Sequence, residues 1–223
     1  MNYLVVVAHP DDEVLGAGAT IKKLINEGHN VAIVTMANHA AARANLSDNL
    51  AQQQQDVFKL LGVKKSYAAD FPNIKMNVVA HLDLVKFVEE CIEDFEAEAI
   101  ITHHPSDTND DHVQTSHAAQ VACRIAQRKD GMKPLKLVLF MEIQSSTEWS
   151  LDTSIGKFSP NYFVEIGEEG LKTKLKALYM YEGIMRPYPH PRSDKAVEAL
   201  AAYRGSQAGC NYAEAFEVAF IRD

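Results

Sequence analysis

Residues 3–13 read YLVVVAHPDDE. Tyr3 to Ala8 form a continuous apolar run rich in β-branched side chains. Such a run suits a strand buried on both faces of a parallel sheet, where no polar alternation is needed. The run stops at His9-Pro10. Residues 14–27 then read as a helix, with Val14, Leu15, Ala17, Ile21, Leu24 and Ile25 on one side and Gly28 as a stop. A second apolar run, 31–36, predicts the next strand. Strand, helix and strand in this spacing imply a right-handed crossover and a parallel sheet.

The alternation continues outward from there. Helices are expected over 47–61, 79–95, 112–128 and 168–182, with one more after a Pro-rich loop at 186–192. Strands are expected over 65–69, 99–102, 135–143 and 162–166. A polar loop joins 103–111, and a long loop spans 144–160, a length that is uncommon without a purpose. The last residues read as a mixed tail. No repeat, linker or low-complexity tract interrupts this α/β pattern, and 223 residues suit one domain rather than two.

Composition narrows the function. The chain is 47% hydrophobic, as an ordinary globular protein with a core is. Thirty acidic against twenty-two basic residues leave a net charge of -8, with no dense basic run. Nucleic-acid binding needs clustered Lys and Arg, so it is excluded as an expectation. Cys91, Cys123 and Cys210 are far apart and form no CxxC pair, which points to reduced, packed thiols. The first residues carry no basic n-region, and their apolar run is too short for a signal peptide or a membrane span. A cytoplasmic protein is expected.

Ligands of open α/β sheets gather at the carboxyl ends of the strands. Two polar clusters follow predicted strands directly: His9-Pro10-Asp11-Asp12-Glu13, and the run from His103 to His112, HHPSDTNDDH. Both are therefore expected on one edge of the sheet. Zinc accepts imidazole nitrogen and carboxylate oxygen, and a catalytic zinc takes three protein ligands and leaves a position for water. His9 and Asp12 supply two, and His112 the third. Asp11 is then a carboxylate beside the metal, placed to take a proton from a water whose pKa zinc lowers to about 7. Asp111 is expected to hydrogen-bond a ligand imidazole or the catalytic carboxylate, and Glu13 sits where the helix dipole favours negative charge. Taken alone, His-Pro-Asp-Asp is also what a turn followed by an acidic helix cap looks like. His29, His39, His81, His103, His104 and His117 read as loop or surface histidines.

These residues carry a resemblance. AHPDDEVLGAGATI and THHPSDTNDDH, together with SSTEW at 145–149, PHPRS at 189–193 and the RG…G…AEAF pattern across 204–216, resemble the LmbE-like (PIG-L type) N-deacetylase family over nearly the whole chain. The resemblance implies a Rossmann-like, mostly parallel sheet flanked by helices on both faces, as a single domain over 1–223. It implies hydrolysis of an N-acetyl group on an amino-sugar-containing small molecule or glycoconjugate, with one zinc per chain and other divalent metals admissible. Carried over by position, His9, Asp12 and His112 match the metal ligands, Asp11 the general base, and Asp111 the acid preceding the third ligand. Arg43 matches a substrate-holding arginine, although a surface arginine at a helix start reads the same way. Some relatives carry a histidine where this chain has Asn109. An amide can donate to an oxyanion but cannot deliver a proton. The acid is then Asp11 itself or His190 of the YPHPRS loop, from its own or a neighbouring subunit, with Arg192 a further substrate contact. Relatives commonly assemble, so a homo-oligomer is an expectation.

Two rivals stand beside this reading. A phosphoesterase would use two metals bridged by carboxylates. A nucleotide-binding module would need glycines and backbone amides where HPDDE puts carboxylates. Gly16 and Gly18 fall inside the helix and read instead as close helix–sheet packing.

Overall fold

The computed structural model describes residues 1–37, 49–151, 154 and 156–223. Its strands form one sheet. In chain order, β1 (Asn2–Val7), β2 (Asn30–Thr35), β3 (Lys65–Ala68), β4 (Ala99–His103) and β5 (Leu137–Met141) are joined as parallel neighbours. β6 (Tyr162–Glu165) and β7 (Ala213–Ile221) complete the spatial order β3-β2-β1-β4-β5-β7-β6, with β7 antiparallel to both neighbours. The expected mostly parallel α/β sheet is thus present, within one to three residues at most strand ends.

The apolar run at the N-terminus explains the layering. Its side chains alternate between faces. Val5 and Val7 join one core with α1 (Asp12–Asn26), α2 (Leu50–Leu61), α5 (Gly167–Met180) and α6 (Asp194–Ala208). Leu4 and Val6 join the other with α3 (His81–Phe95) and α4 (Asp110–Ala122). The chain winds outward from β1 through β2 to β3, then returns to place β4 on the other side of β1. That reversal leaves a crevice beyond the carboxyl ends of β1 and β4. Among the described residues, no helix is long and apolar enough to cross a membrane.

Two sequence expectations change. The mixed tail is β7, a nine-residue strand inserted between β5 and β6. Its small alanines and interspersed glutamates hide its buried half. α4 spans Asp110–Ala122 rather than 112–128: the Asn109 side chain accepts the Asp111 N–H and caps its start, and a separate short turn over Ile125–Gln127 follows its end.

One glutamate of β7 accounts for the shape of α1. This helix leaves helical geometry at Ala17. There Gly16 lies so close to β5 that a Cβ would fall 2.4 Å from Met141 Sδ, which is the expected glycine packing. A kink turns backbone groups out of the ladder, and side chains receive them. Glu214 accepts from the N–H groups of Ala19 (3.2 Å) and Thr20 (2.7 Å), while Lys174 Nζ donates to Leu15 O (2.8 Å) and to Glu214 (2.7 Å). Lys174 and Glu214 are both buried, so removing one strands the other's charge. Glu214→Ala is expected to cost about 3–5 kcal/mol in urea unfolding. A loss below about 1 kcal/mol would contradict this role, being no more than an exposed pair gives.

Candidate metal centre

β1 leads into His9 and β4 ends on His103, and their parallel pairing from Tyr3↔Ala99 to Val6↔Thr102 brings the two strand ends together. The two polar clusters meet on a single atom, Oδ2 of Asp12. It accepts from the His9 backbone N–H (2.9 Å). It also lies 3.3 Å from His9 Nδ1, 3.3 Å from His112 Nε2 and 3.6 Å from His103 Nε2. One ligand atom each from His9, Asp12 and His112 lies within 4.8 Å of the others, so one small ion could touch all three.

The outward nitrogens support that use. His9 Nε2 is 3.0 Å from Asp111 Oδ2, and His112 Nδ1 is 3.2 Å from Asp107 Oδ1. A carboxylate behind each imidazole fixes ring orientation and leaves the other nitrogen for an ion, the usual dress of metal-binding histidines. The carboxylates are held in turn. Asp111 accepts from the N–H groups of Ile74 (2.5 Å) and Met76 (3.0 Å). Asp107 accepts from Asn109 N (2.8 Å), Thr147 Oγ1 (2.7 Å) and the Ser146 hydroxyl. Asp111 therefore takes the first of its two expected partners, a candidate ligand imidazole. Asp107, Ser146 and Thr147 were missed by residue reasoning. Their signal lay in the quoted THHPSDTNDDH and SSTEW stretches, but nothing in sequence shows that 107 and 146–147 touch.

Asp11 sits beside the cluster at the N-cap of α1, with φ at 106°. Its carboxylate is buried, and Oδ2 accepts from Arg192 Nη1 at 3.1 Å. Arg192 Nε donates to Ser145 Oγ (2.8 Å). The YPHPRS loop thus reaches the site from the same chain, and Arg192 meets Asp11. His190 is half-buried on that loop, and its Nδ1 accepts the Arg192 N–H at 3.0 Å. Asn109 spends its Oδ1 on the helix cap. Arg43 and His39 lie outside the described residues.

Two expected surface histidines are buried instead. His103 Nε2 accepts the Ala8 N–H (2.9 Å), and its ring stacks on His112 with centroids 4.0 Å apart. His104 Nδ1 lies 2.7 Å from Ser106 Oγ. His112 of α4 covers His103, and His104 packs edge-on against Phe140 and Phe158, contacts that a polar reading of the loop does not show. His81, also expected to be exposed, is half-buried and stacks on the exposed His117.

Burial and charge pull these groups apart. Burial lowers His9 and His112, but hydrogen bonds and charge from Asp111 and Asp12, and from Asp12 and Asp107, outweigh it and lift them to about 9 and about 10. Asp12 is held well below the usual carboxylate range, because His112 overcomes its burial. Burial drives His103 down to about 3, so that ring stays neutral. Burial pushes Asp11 up to about 6, with Arg192 pulling against it. A carboxyl that changes charge near neutral pH can both accept and return a proton.

The fold is shared with known proteins. The uncharacterized deacetylase YaiS of Escherichia coli K12 is 25% identical over 180 residues, covering 78% of this chain and 87% of YaiS. The N,N'-diacetylchitobiose deacetylase from Pyrococcus horikoshii, solved with its inhibitor MPG, superposes with a TM-score of 0.79 at 21% identity, covering 97% of this chain and 83% of its own. The fold is shared as fully with GalB, the 4-carboxy-2-hydroxymuconate hydratase of Pseudomonas putida KT2440, at a TM-score of 0.80 and 21% identity over 100% of this chain and 97% of GalB. The family described as PIG-L, GlcNAc-PI de-N-acetylase, matches residues 4–123. That match takes in both polar clusters and more than half of the chain, which therefore belongs to the PIG-L family.

Proposed function

We propose that this chain is a metal-dependent N-deacetylase that hydrolyses the acetamide of an amino-sugar-containing substrate to acetate and a free amine. One observation carries the reading: a His9, Asp12 and His112 cluster with a separate buried carboxylate, Asp11, beside it. The family match and the deacetylase relatives support the reaction class. His9 Nδ1, Asp12 Oδ2 and His112 Nε2 would hold one ion, zinc in this reading with other divalent metals also suited. When bound, it supplies Lewis acidity and eases deprotonation of water.

The chain's own residues do the rest. Asp11 takes the proton of the attacking water, whose oxygen bonds to the acetyl carbon. Arg192 holds that carboxylate in place. As the C–N bond breaks, the proton passes from Asp11 to the departing nitrogen, with His190 the second donor to consider. Asn109 keeps its Nδ2 hydrogens for a substrate oxygen. Arg43 is retained as a substrate contact. Trp149, the single tryptophan, is 58% exposed on the loop that carries Ser146 and Thr147, and offers a face to a sugar ring. Reduced Cys91, Cys123 and Cys210 suit work in the cytoplasm.

Incubation of zinc-loaded protein with a panel of N-acetylated sugars, scoring acetate and free amine, tests the proposal. Phosphate release from phosphomonoesters without acetate release would replace it with the phosphoesterase reading. Asp11→Asn is expected to keep its metal and lose about 10²–10⁴-fold in kcat; near-normal turnover would remove Asp11 from the role of base. A pH dependence follows as well. Ligation requires neutral imidazoles, whereas metal-free His9 and His112 hold protons up to about 9 and about 10. Zinc affinity should therefore rise between pH 6 and 9, with about two protons released per ion at pH 7 in calorimetry across buffers. An affinity flat with pH and no proton release would contradict the ligand set.

A further inference from the structure

Asp11 holds its place with a backbone that few L-residues adopt. A φ of 106° with ψ at -30° lies outside the ordinary regions for a residue with a Cβ. Such conformations cost about 1–3 kcal/mol and persist only where surrounding contacts enforce them. The contact that does so here is unusual. The Asp11 N–H donates to Glu13 Oε2 at 3.0 Å, a side chain two residues ahead turning back on the turn that precedes it.

Glu13 is itself fully buried. A carboxylate that only served the helix dipole would do so from the surface. A buried one needs donors on both oxygens. Its second oxygen, Oε1, accepts from the Tyr181 hydroxyl at 2.5 Å. Tyr181 follows the last residue of α5, 168 residues away along the chain, and is 1% exposed. Neither side chain can swing to water, so the pair clamps the Asp11 N–H from inside the core. The direction of the Asp11 Cα–Cβ bond is set by that backbone, and with it the approach of its carboxylate to Arg192 and the histidine cluster.

We propose that Glu13 and Tyr181 are positioning residues that hold Asp11 in its proton-transfer geometry. The catalytic part of this rests on Asp11 being the base, whereas the clamp on its backbone does not. Tyr181→Phe removes the donor to Oε1 and loosens the hold on Glu13. Glu13→Ala removes the acceptor outright and carries the test if the tyrosine variant does not fold. Glu13→Gln is the rescue, since its carbonyl can still accept the Asp11 N–H and its amide can donate to the tyrosine oxygen.

Two measurements on the full-length, zinc-loaded protein decide it. The first is amide hydrogen exchange at residues 11–13, above all at the Asp11 N–H. It should quicken about tenfold or more in Tyr181→Phe and Glu13→Ala and recover in Glu13→Gln, with other regions unchanged. The second is the kinetic split. For the same two variants kcat should fall about 10–100-fold while KM and metal content stay within about twofold, as expected for a misplaced reacting group. Unchanged exchange at 11–13 would overturn the proposal. So would faster exchange throughout the chain with kcat per folded molecule intact, which marks a merely structural pair. If the wild-type protein releases no amine from any N-acetylated sugar, locally faster exchange still establishes the clamp, and the failure falls on the deacetylase reading.

Discussion

The site depends on one carboxylate oxygen taken out of water. Oδ2 of Asp12 meets a backbone N–H and approaches three imidazoles, and the residue is 1% exposed. A buried charge is stable only when paired and hydrogen-bonded. Asp107 and Asp111 add two more buried carboxylates behind His112 and His9. Against these three carboxylates stand His9 and His112, whose protonated forms they favour over those of an ordinary imidazole. In the proposed metal-bound form, one divalent cation would stand in place of two imidazole protons.

Much of this was legible in the sequence because it is local. A buried parallel strand announces itself as an unbroken apolar run, and Tyr3 to Ala8 is one. Polar residues directly after such a strand have only one place to be, the carboxyl edge of the sheet. Two such clusters, 9–13 and 103–112, were therefore bound to converge. Gly16 was readable as a close approach for the same reason, as an unpunctuated glycine inside an amphipathic helix. Contacts that join distant segments left no such trace. Asp107 and Asp111 sit in one acidic stretch, and only the fold shows which of them backs which histidine. Arg192 reads as a loop arginine able to face substrate, and its salt bridge to Asp11 spans 181 residues. The Glu214 strand is masked because a buried glutamate among alanines looks like surface until Lys174 and the α1 kink are placed against it.

The same sheet also serves a hydratase, so the layout of strands and helices does not choose the reaction. The choice falls on a few side chains at the crevice. Asp11 is kept off the Asp12 oxygen by its backbone, is partnered by a guanidinium, and has its pKa moved toward neutrality by burial. Asp12, one residue on, is pinned as an anion by the histidines. Two adjacent aspartates thus differ in charge behaviour through environment alone. Helix α1 begins where the two divide.

A crystal of the protein soaked in substoichiometric zinc, with anomalous difference maps at the zinc edge, tests this division most directly. The account predicts one strong peak bonded to His9 Nδ1, Asp12 Oδ2 and His112 Nε2, with Asp107 and Asp111 behind the imidazoles and Asp11 unbonded to the ion. A peak coordinated by Asp11, or by Asp107 or Asp111 in place of the histidines, would contradict it.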